Sequence, residues 1–600
     1  MALTNAFHSI QQHTAVIYRT MRLVIPIIIE NRMVVVLYLL FLRIVQAALP
    51  AAQVLLTAAL IDSLGDALAG GGMSNSFLYI GIQVGLLIGS SLLKLLDDRV
   101  VFKTRIAIKY VLEKKLAEKS VQLNLVFFDE ANSYDVMQRA QSGQFGLEYI
   151  DLLFSIIKNT ISLVLLMIVI AAISVTFMFS IALFLVPSFF IYMYVGKLKV
   201  NQMINLTPLN RKINYIYSLL TGKEAAKELR VFDLGYEIVR RWGELFHENA
   251  KHEVALFYRT KRLLFIYEII VLALLGALLV VAVLLVAAKA ITVGQFVAFS
   301  QTATNVRALI VSMSTEVGRI YEISLQASQY FSFINLPEET KNNELLCPDF
   351  TAALHVEHLV ESYPNRERPA LDGISFTVKK GEKIAIVGGN GAGKTTLVKC
   401  IMGLYTHYTG EISLDGREIR DMDKQSLRSR ITALFQDYTK YELTLYDNIA
   451  FGDIQRSDNA GKVEQAAAKG GVSEFVDSIR GGYEGQLGPA FLGGQELSIG
   501  QWQRVALSRT FMRDADIVIL DEPTAALDPL AEASVIQQFL NIADEKTAII
   551  ISHRLGVCRH VDRILVLDNG TLAGEGTHEE LLESNLIYKE MYESQLRLYT

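Results

Sequence analysis

Long apolar runs dominate the first half of this 600-residue chain and give way to ordinary globular patterning in the second. A helix crossing a bilayer core needs about 20 apolar residues. Six stretches approach that length: 33–57, 76–96, 150–173, 176–196, 263–288 and 293–323. The second ends in Lys94, Asp97 and Asp98. The sixth is semi-polar, with Gln295, Ser300, Gln301, Thr302, Thr304, Asn305 and Arg307, a pattern that suits lining water or protein better than lipid. In 100–125 and 213–246 apolar residues recur at helical spacing, so the long connections 97–149 and 197–262 read as helices continuing the spans. Breaks at 127–134 and 223–230 predict a short transverse helix in each, the alternative being a solvated turn. A polar linker follows at 336–350, and from 351 to 600 short apolar runs alternate with helical stretches, as a parallel α/β core requires. The expected architecture is an α-helical transmembrane domain (1–335) joined to an α/β domain (351–600).

Charge orients the spans. Residues 58–75 and the hairpin near Ser174 carry no Lys or Arg, and the third short loop carries only Lys289. By contrast, 99–148 holds eight basic residues and 197–262 holds thirteen. The positive-inside rule then puts both long loops, the N-terminus and the α/β domain in the cytoplasm, and the chain in the cytoplasmic membrane of the cell. The start of the sequence lacks the small-residue cleavage site of a signal peptide.

Composition agrees: 51% of residues are hydrophobic and 20% charged, with a mean hydropathy of +0.31. A net charge of −5 gives no footprint for nucleic acid. Cys347, Cys400 and Cys558 fit neither a zinc site nor a disulfide framework, which points to a reducing compartment.

Candidate chemistry sits in the α/β half. Residues 388–395 read Gly-Gly-Asn-Gly-Ala-Gly-Lys-Thr, between an apolar run (383–387) and a helical one opening at Thr395 and Thr396. A strand, a glycine loop and a helix N-terminus make an anion site in which backbone N–H groups converge on phosphate. Gly388, Asn390, Gly391 and Gly393 supply the loop, Lys394 reaches the β- and γ-phosphates, and Thr395 offers a hydroxyl to Mg²⁺. Farther on, 517–522 is an apolar run ending in two acids. Asp521 suits the Mg²⁺ shell, and Glu522 is placed to polarise an attacking water.

The composite resembles the ATP-binding cassette family. The resemblance rests on the phosphate loop, Tyr363, Gln436, Leu497-Ser-Ile-Gly-Gln501, Ala526-Leu-Asp528 and His553, in that family's order, and the span arrangement extends it over nearly the whole chain. It implies a type IV (B-family) exporter fold, ATP and Mg²⁺ as cofactors, and roles for single residues. Tyr363 would stack on adenine. Gln436 would sense Mg²⁺ and the γ-phosphate, which His553 would also contact. Ser498, Gly500, Gln501 and Asp528 would complete the ATP site of a partner subunit. One departure is visible: Ile499 stands where the family's signature has its first glycine. Phe491-Leu-Gly-Gly-Gln495 mimics that signature at the wrong distance from Asp521. One cassette per chain implies a dimer, and a full motif set favours a homodimer over a heterodimer.

Within the family, Leu434–Thr444, Gly500-Gln-Trp-Gln-Arg504 and Ala525–Glu532 resemble lanthipeptide exporters of the nisin and subtilin type. The resemblance implies ATP-driven export of a small modified antimicrobial peptide, of lanthipeptide or lasso type, with self-immunity of the producer as a further use. The alternative is a lipid flippase or multidrug exporter of the same fold. Lys440-Tyr-Glu442 either meets a membrane-domain loop or forms a surface turn. With no cysteine before Cys347, the chain is not expected to cut a leader itself. Among ionisable residues in the spans (Arg43, Lys158, Glu268 and Arg307), Glu268 is expected to bind a cationic cargo, to pair with Lys158, or to sit in the headgroup zone.

Overall fold

The computed structural model describes residues 2–70, 72–129, 131–141, 146–223, 225–339, 345–363, 368–522, 546–553 and 555–599. It divides into two compact units, 1–122 with 131–336, and 123–130 with 337–600.

The first unit is helical: α1 (Ala2–Leu68), α2 (Ser74–Gln122), α4 (Ala131–Gln141), α5 (Gly146–Ile173), α6 (Val175–Thr221), α7 (Ala226–Val231), α8 (Gly235–Ala287) and α9 (Val293–Ile334). The short α3 (Leu125–Asp129) belongs to the second unit. The long connections are thus helices, and both predicted breaks, at α3 and at α7, contain a short helix. Among the described residues, four segments are long and apolar enough to cross a membrane: Met33–Leu68, Ser74–Gln122, Glu148–Ile173 and Gly235–Ala287. The stretches 176–196 and 293–323 lie on α6 and α9 and are helical throughout; the semi-polar α9 is not among those four segments. Large apolar side chains such as Leu87 and Ile88 on α2, and Phe265 and Ile269 on α8, are exposed, as lipid-facing helices require.

Polar contacts fasten this unit. Arg43 on α1 is buried, its guanidinium bridging Asp97 of α2 (2.9 Å) and Asp151 of α5 (2.6 Å). On α9, Glu316 accepts from Ser155 (2.6 Å) and Asn159 (3.0 Å) of α5. Asp62 of α1 caps the start of α9, accepting from Thr292 Oγ1 (2.9 Å) and the Gly294 amide (2.8 Å). Gly294 is obligatory there, because a Cβ would lie 2.4 Å from the Ala58 carbonyl oxygen. Apolar packing completes the join, with Phe177 stacked on Phe299 at 4.4 Å. Glu268 pairs with Arg307 and not with Lys158. Helical geometry explains the difference: α8 packs on α9, whereas Lys158 lies on α5.

The second unit carries two sheets built from β1 (Ala353–Glu361), β2 (Leu371–Lys379), β3 (Lys383–Gly388), β4 (Thr409–Leu414), β5 (Arg417–Glu418), β6 (Ile431–Leu434), β7 (Ile517–Asp521), β8 (Thr547–Ile551), β9 (Arg563–Asp568) and β10 (Thr571–Gly576). The order β2-β1-β4-β5 is antiparallel, and β10-β9-β3-β8-β7-β6 is parallel except for β10. Buried β3, β7 and β8 read as near-continuous Ile, Val and Ala, as strands covered on both faces do. The helices are α10 (Lys394–Ile401), α11 (Lys424–Arg430), α12 (Leu445–Ala450), α13 (Ala460–Lys469), α14 (Ile499–Met512), α15 (His578–Ser584) and α16 (Leu586–Tyr599). All three cysteines are free and buried, and burial pushes the Cys558 thiol up to about 12, so these are inert packing residues.

Candidate active site

Sheet order assembles the site. Because β3, β8, β7 and β6 run parallel, their carboxyl ends open on one edge. The glycine loop leaves β3 at Gly388, Asp521 ends β7, His553 follows β8, and Gln436 follows β6. Residues far apart in sequence therefore meet at one edge.

The loop ends at Gly393, which N-caps α10 with φ of 98°. A Cβ there would lie 2.5 Å from the Ala370 carbonyl oxygen, so glycine is needed both for space and for handedness. The buried Lys394 donates from Nζ to the carbonyls of Gly388 and Gly389, both at 3.0 Å. Burial pulls its pKa down, against the opposing pull of Glu522 and Asp521. Thr395 donates from Oγ1 to Asp521 Oδ2 at 2.9 Å. The other carboxylate oxygen of Asp521 is buried without a hydrogen-bond partner, and burial pushes this acid up. An oriented carboxylate with one bare oxygen beside a threonine hydroxyl is the donor set that suits a hard divalent cation such as Mg²⁺.

Glu522 takes a left-handed backbone (φ 52°), which turns its side chain toward two neighbours. Gln436 Nε2 donates to one carboxylate oxygen at 2.7 Å, and His553 Nε2 lies 2.5 Å from the other. A cleft of about 280 Å³ is lined by Tyr363, Asn390, Gly391 and Gly393–Thr396 on one side and Gln436, Glu522 and His553 on the other. Tyr363 Oη pairs with Thr396 Oγ1 at 3.0 Å.

The signature segment is elsewhere. Ser498 N-caps α14 in a capping box with Gln501: its hydroxyl accepts from the Gln501 amide (3.2 Å) while Gln501 Oε1 accepts from the Ser498 amide (3.0 Å). Neither of them, nor Gly500, lines the cleft. Ile499 is 60% exposed at the first position of α14, and its carbonyl accepts from Tyr438 Oη at 3.1 Å. Asp528 lies outside the described residues. The Lys440–Glu442 run is tied within its own unit: Glu442 accepts from the Ala490 amide (2.5 Å), and Tyr441 lies 4.5 Å from the Arg509 guanidinium. Ala370, whose carbonyl walls the loop, carries no sequence signal at all.

Residues 371–525 match the family model described as ABC transporter. The chain is 32% identical to the subtilin transport ATP-binding protein SpaT of Bacillus subtilis over 531 residues, covering 86% of this chain and 84% of that protein. The chain belongs to the ATP-binding cassette transporters. The nisin transport ATP-binding protein NisT of Lactococcus lactis subsp. lactis is 29% identical over 568 residues, 93% of each chain. An ATP-dependent lipid A-core flippase of Pseudomonas savastanoi pv. phaseolicola is 33% identical over 366 residues, 60% of each chain. Among solved structures, a bacterial Atm1-family ABC exporter with ATP bound superposes with a TM-score of 0.80 at 23% identity, covering 94% of this chain and 98% of that one. This ABC transporter is thus a multi-pass membrane protein with the exporter fold, binds ATP, and couples its hydrolysis to transport.

Proposed function

We propose that this ABC transporter exports a small modified antimicrobial peptide, of lanthipeptide or lasso type, across the cytoplasmic membrane as a homodimer. The observation that carries the reading is similarity to the subtilin and nisin transport proteins over 84% and 93% of their lengths, against 60% for the lipid A-core flippase. In this reading α1, α2, α5, α6, α8 and α9 supply six spans, with the transmembrane domain ending near 335, the linker at 336–350 and the cassette from 351 on the cytoplasmic side.

Within the cleft, the glycine loop and Lys394 hold the phosphates, and Tyr363 packs on the base. Thr395, Asp521 and Gln436 hold Mg²⁺, which when bound neutralises charge on the phosphates. Glu522 orients and deprotonates the attacking water, held in place by Gln436 and His553. The capped N-terminus of α14, lying outside its own cleft, supplies Ser498 and Gly500 to the partner's ATP, together with Asp528. That separation supports two shared sites per dimer.

The test is ATPase activity of the purified protein in lipid, titrated with the mature peptide encoded beside it. Saturable stimulation or inhibition, absent with a scrambled peptide, supports peptide export. A response to lipids alone moves the reading to the flippase, which the third relative favours.

A further inference from the structure

We propose that Tyr405 is a positioning residue that links the short helix α3 to the base-binding side of the ATP cleft, so that the position of α3 sets ATP affinity. The inference rests on the reading of Tyr363 as the aromatic that packs on the base. Tyr405 is 1% exposed, and its hydroxyl donates to the Asp129 carboxylate at the end of α3. The same oxygen accepts from Lys399 Nζ of α10 at 3.2 Å, and that ammonium lies 5.1 Å from the Tyr405 ring. Edge-on against Tyr405, at 5.9 Å between centroids, stands Tyr363, which bonds Thr396 beside the Mg²⁺-side hydroxyl of Thr395.

One phenol therefore joins three parts: α3, the phosphate-loop helix and the aromatic wall of the cleft. Burial and the Asp129 carboxylate push its pKa upward, so the hydroxyl stays a donor at any physiological pH. The tie is reinforced. Leu125 and Val126 of α3 pack on the same core cluster as Tyr405 and Tyr363, and Asn124 lies 3.3 Å from His407. Only Leu123 and Asn124 separate α3 from α2, so a shift in α2 reaches Asp129 with little slack. Ordinary packing would need only the Tyr405 ring. A carboxylate and an ammonium converging on its hydroxyl indicate that the bond itself is used.

The experiment measures KM for ATP and kcat for the full-length transporter in lipid nanodiscs. Tyr405→Phe keeps the ring and removes the bond; Asp129→Ala removes the acceptor from an exposed position and leaves the fold intact. Each is expected to shift KM by about threefold to tenfold with kcat within about twofold, and the double variant to go no further than either single. Asp129→Asn, whose amide oxygen still accepts, should restore most of the wild-type KM. Unchanged KM in both singles, or shifts that simply add in the double, overturns the proposal. Tyr363→Ala separates the two readings. A rise in KM beyond about tenfold upholds the base-packing role, and no rise overturns that role and the link with it.

Discussion

Glu522→Gln isolates the chemical step from binding. Glutamine has the shape of glutamate, so its amide oxygen still accepts from Gln436 Nε2 at 2.7 Å, and its other end still faces His553. The cleft keeps its geometry and loses only a base. General base catalysis contributes about 10²–10⁴-fold, equivalent to about 2.7–5.4 kcal/mol of barrier, and turnover should fall by that factor. Binding should respond the other way. The carboxylates of Glu522 and Asp521 both favour the charged form of Lys394, which marks them as negative charges close to the phosphate site. Removing one relieves repulsion on a polyanionic ligand, so ATP affinity should hold or rise. The assay pairs equilibrium ATP binding with steady-state phosphate release on the same preparation in lipid. Turnover within a few-fold of wild type refutes Glu522 as the base. A tenfold loss of binding would instead make it an organiser of the cleft.

Gly393→Ala forces a Cβ to 2.5 Å from the Ala370 oxygen at φ 98°, strain of about 1–3 kcal/mol, and should remove measurable ATP binding while the purified protein stays folded by circular dichroism. Ile499→Gly should leave hydrolysis unchanged or raised, because the exposed side chain caps nothing and only its carbonyl meets Tyr438; a collapse of phosphate release would assign Ile499 a role of its own. Arg43→Met strands Asp97, whose side chain is 7% exposed, and should cost about 3–5 kcal/mol of stability, read as a lower thermal midpoint in detergent. Adding Asp97→Asn and Asp151→Asn should recover most of it, and an unmoved midpoint in the single variant would sink the interpretation.

What could be read from the chain follows the range of the forces involved. The phosphate loop, the Asp521–Glu522 pair and the helical character of the inner connections were legible because each is a local pattern: glycines at a tight turn, acids ending an apolar strand, apolar residues at helical spacing. The gathering of Gln436, Glu522 and His553 needed the parallel order of β3, β8, β7 and β6, which no local pattern encodes. Partners of charged side chains were illegible for the same reason. Glu268 pairs with Arg307 across two packed helices, and Asp129 meets Tyr405 across 276 positions. Lys440 and Tyr441 are exposed, as the surface-turn alternative has it, but the partners of this run, the Ala490 amide and the Arg509 side chain on α14, were illegible because both lie far along the chain. The semi-polar stretch on α9 buries Ala298, Phe299, Thr302, Ala303 and Val306, and it is not among the helices long and apolar enough to span on composition alone.

The bridge from Arg43 to Asp97 and Asp151 also bears on how the protein is made. Synthesis runs from the N-terminus, so the cation is the first of the three to reach the membrane, 54 positions ahead of one carboxylate and 108 ahead of the other. An arginine in an apolar helix is unwelcome in lipid on its own, and so is each acid. Until α2 arrives, α1 has reason to linger beside the insertion machinery, and α5 is admitted to a site whose charge is already half answered. The order of emergence therefore predicts an assembly order, with α1 recruiting α2 and the pair recruiting α5 before the cassette has left the ribosome.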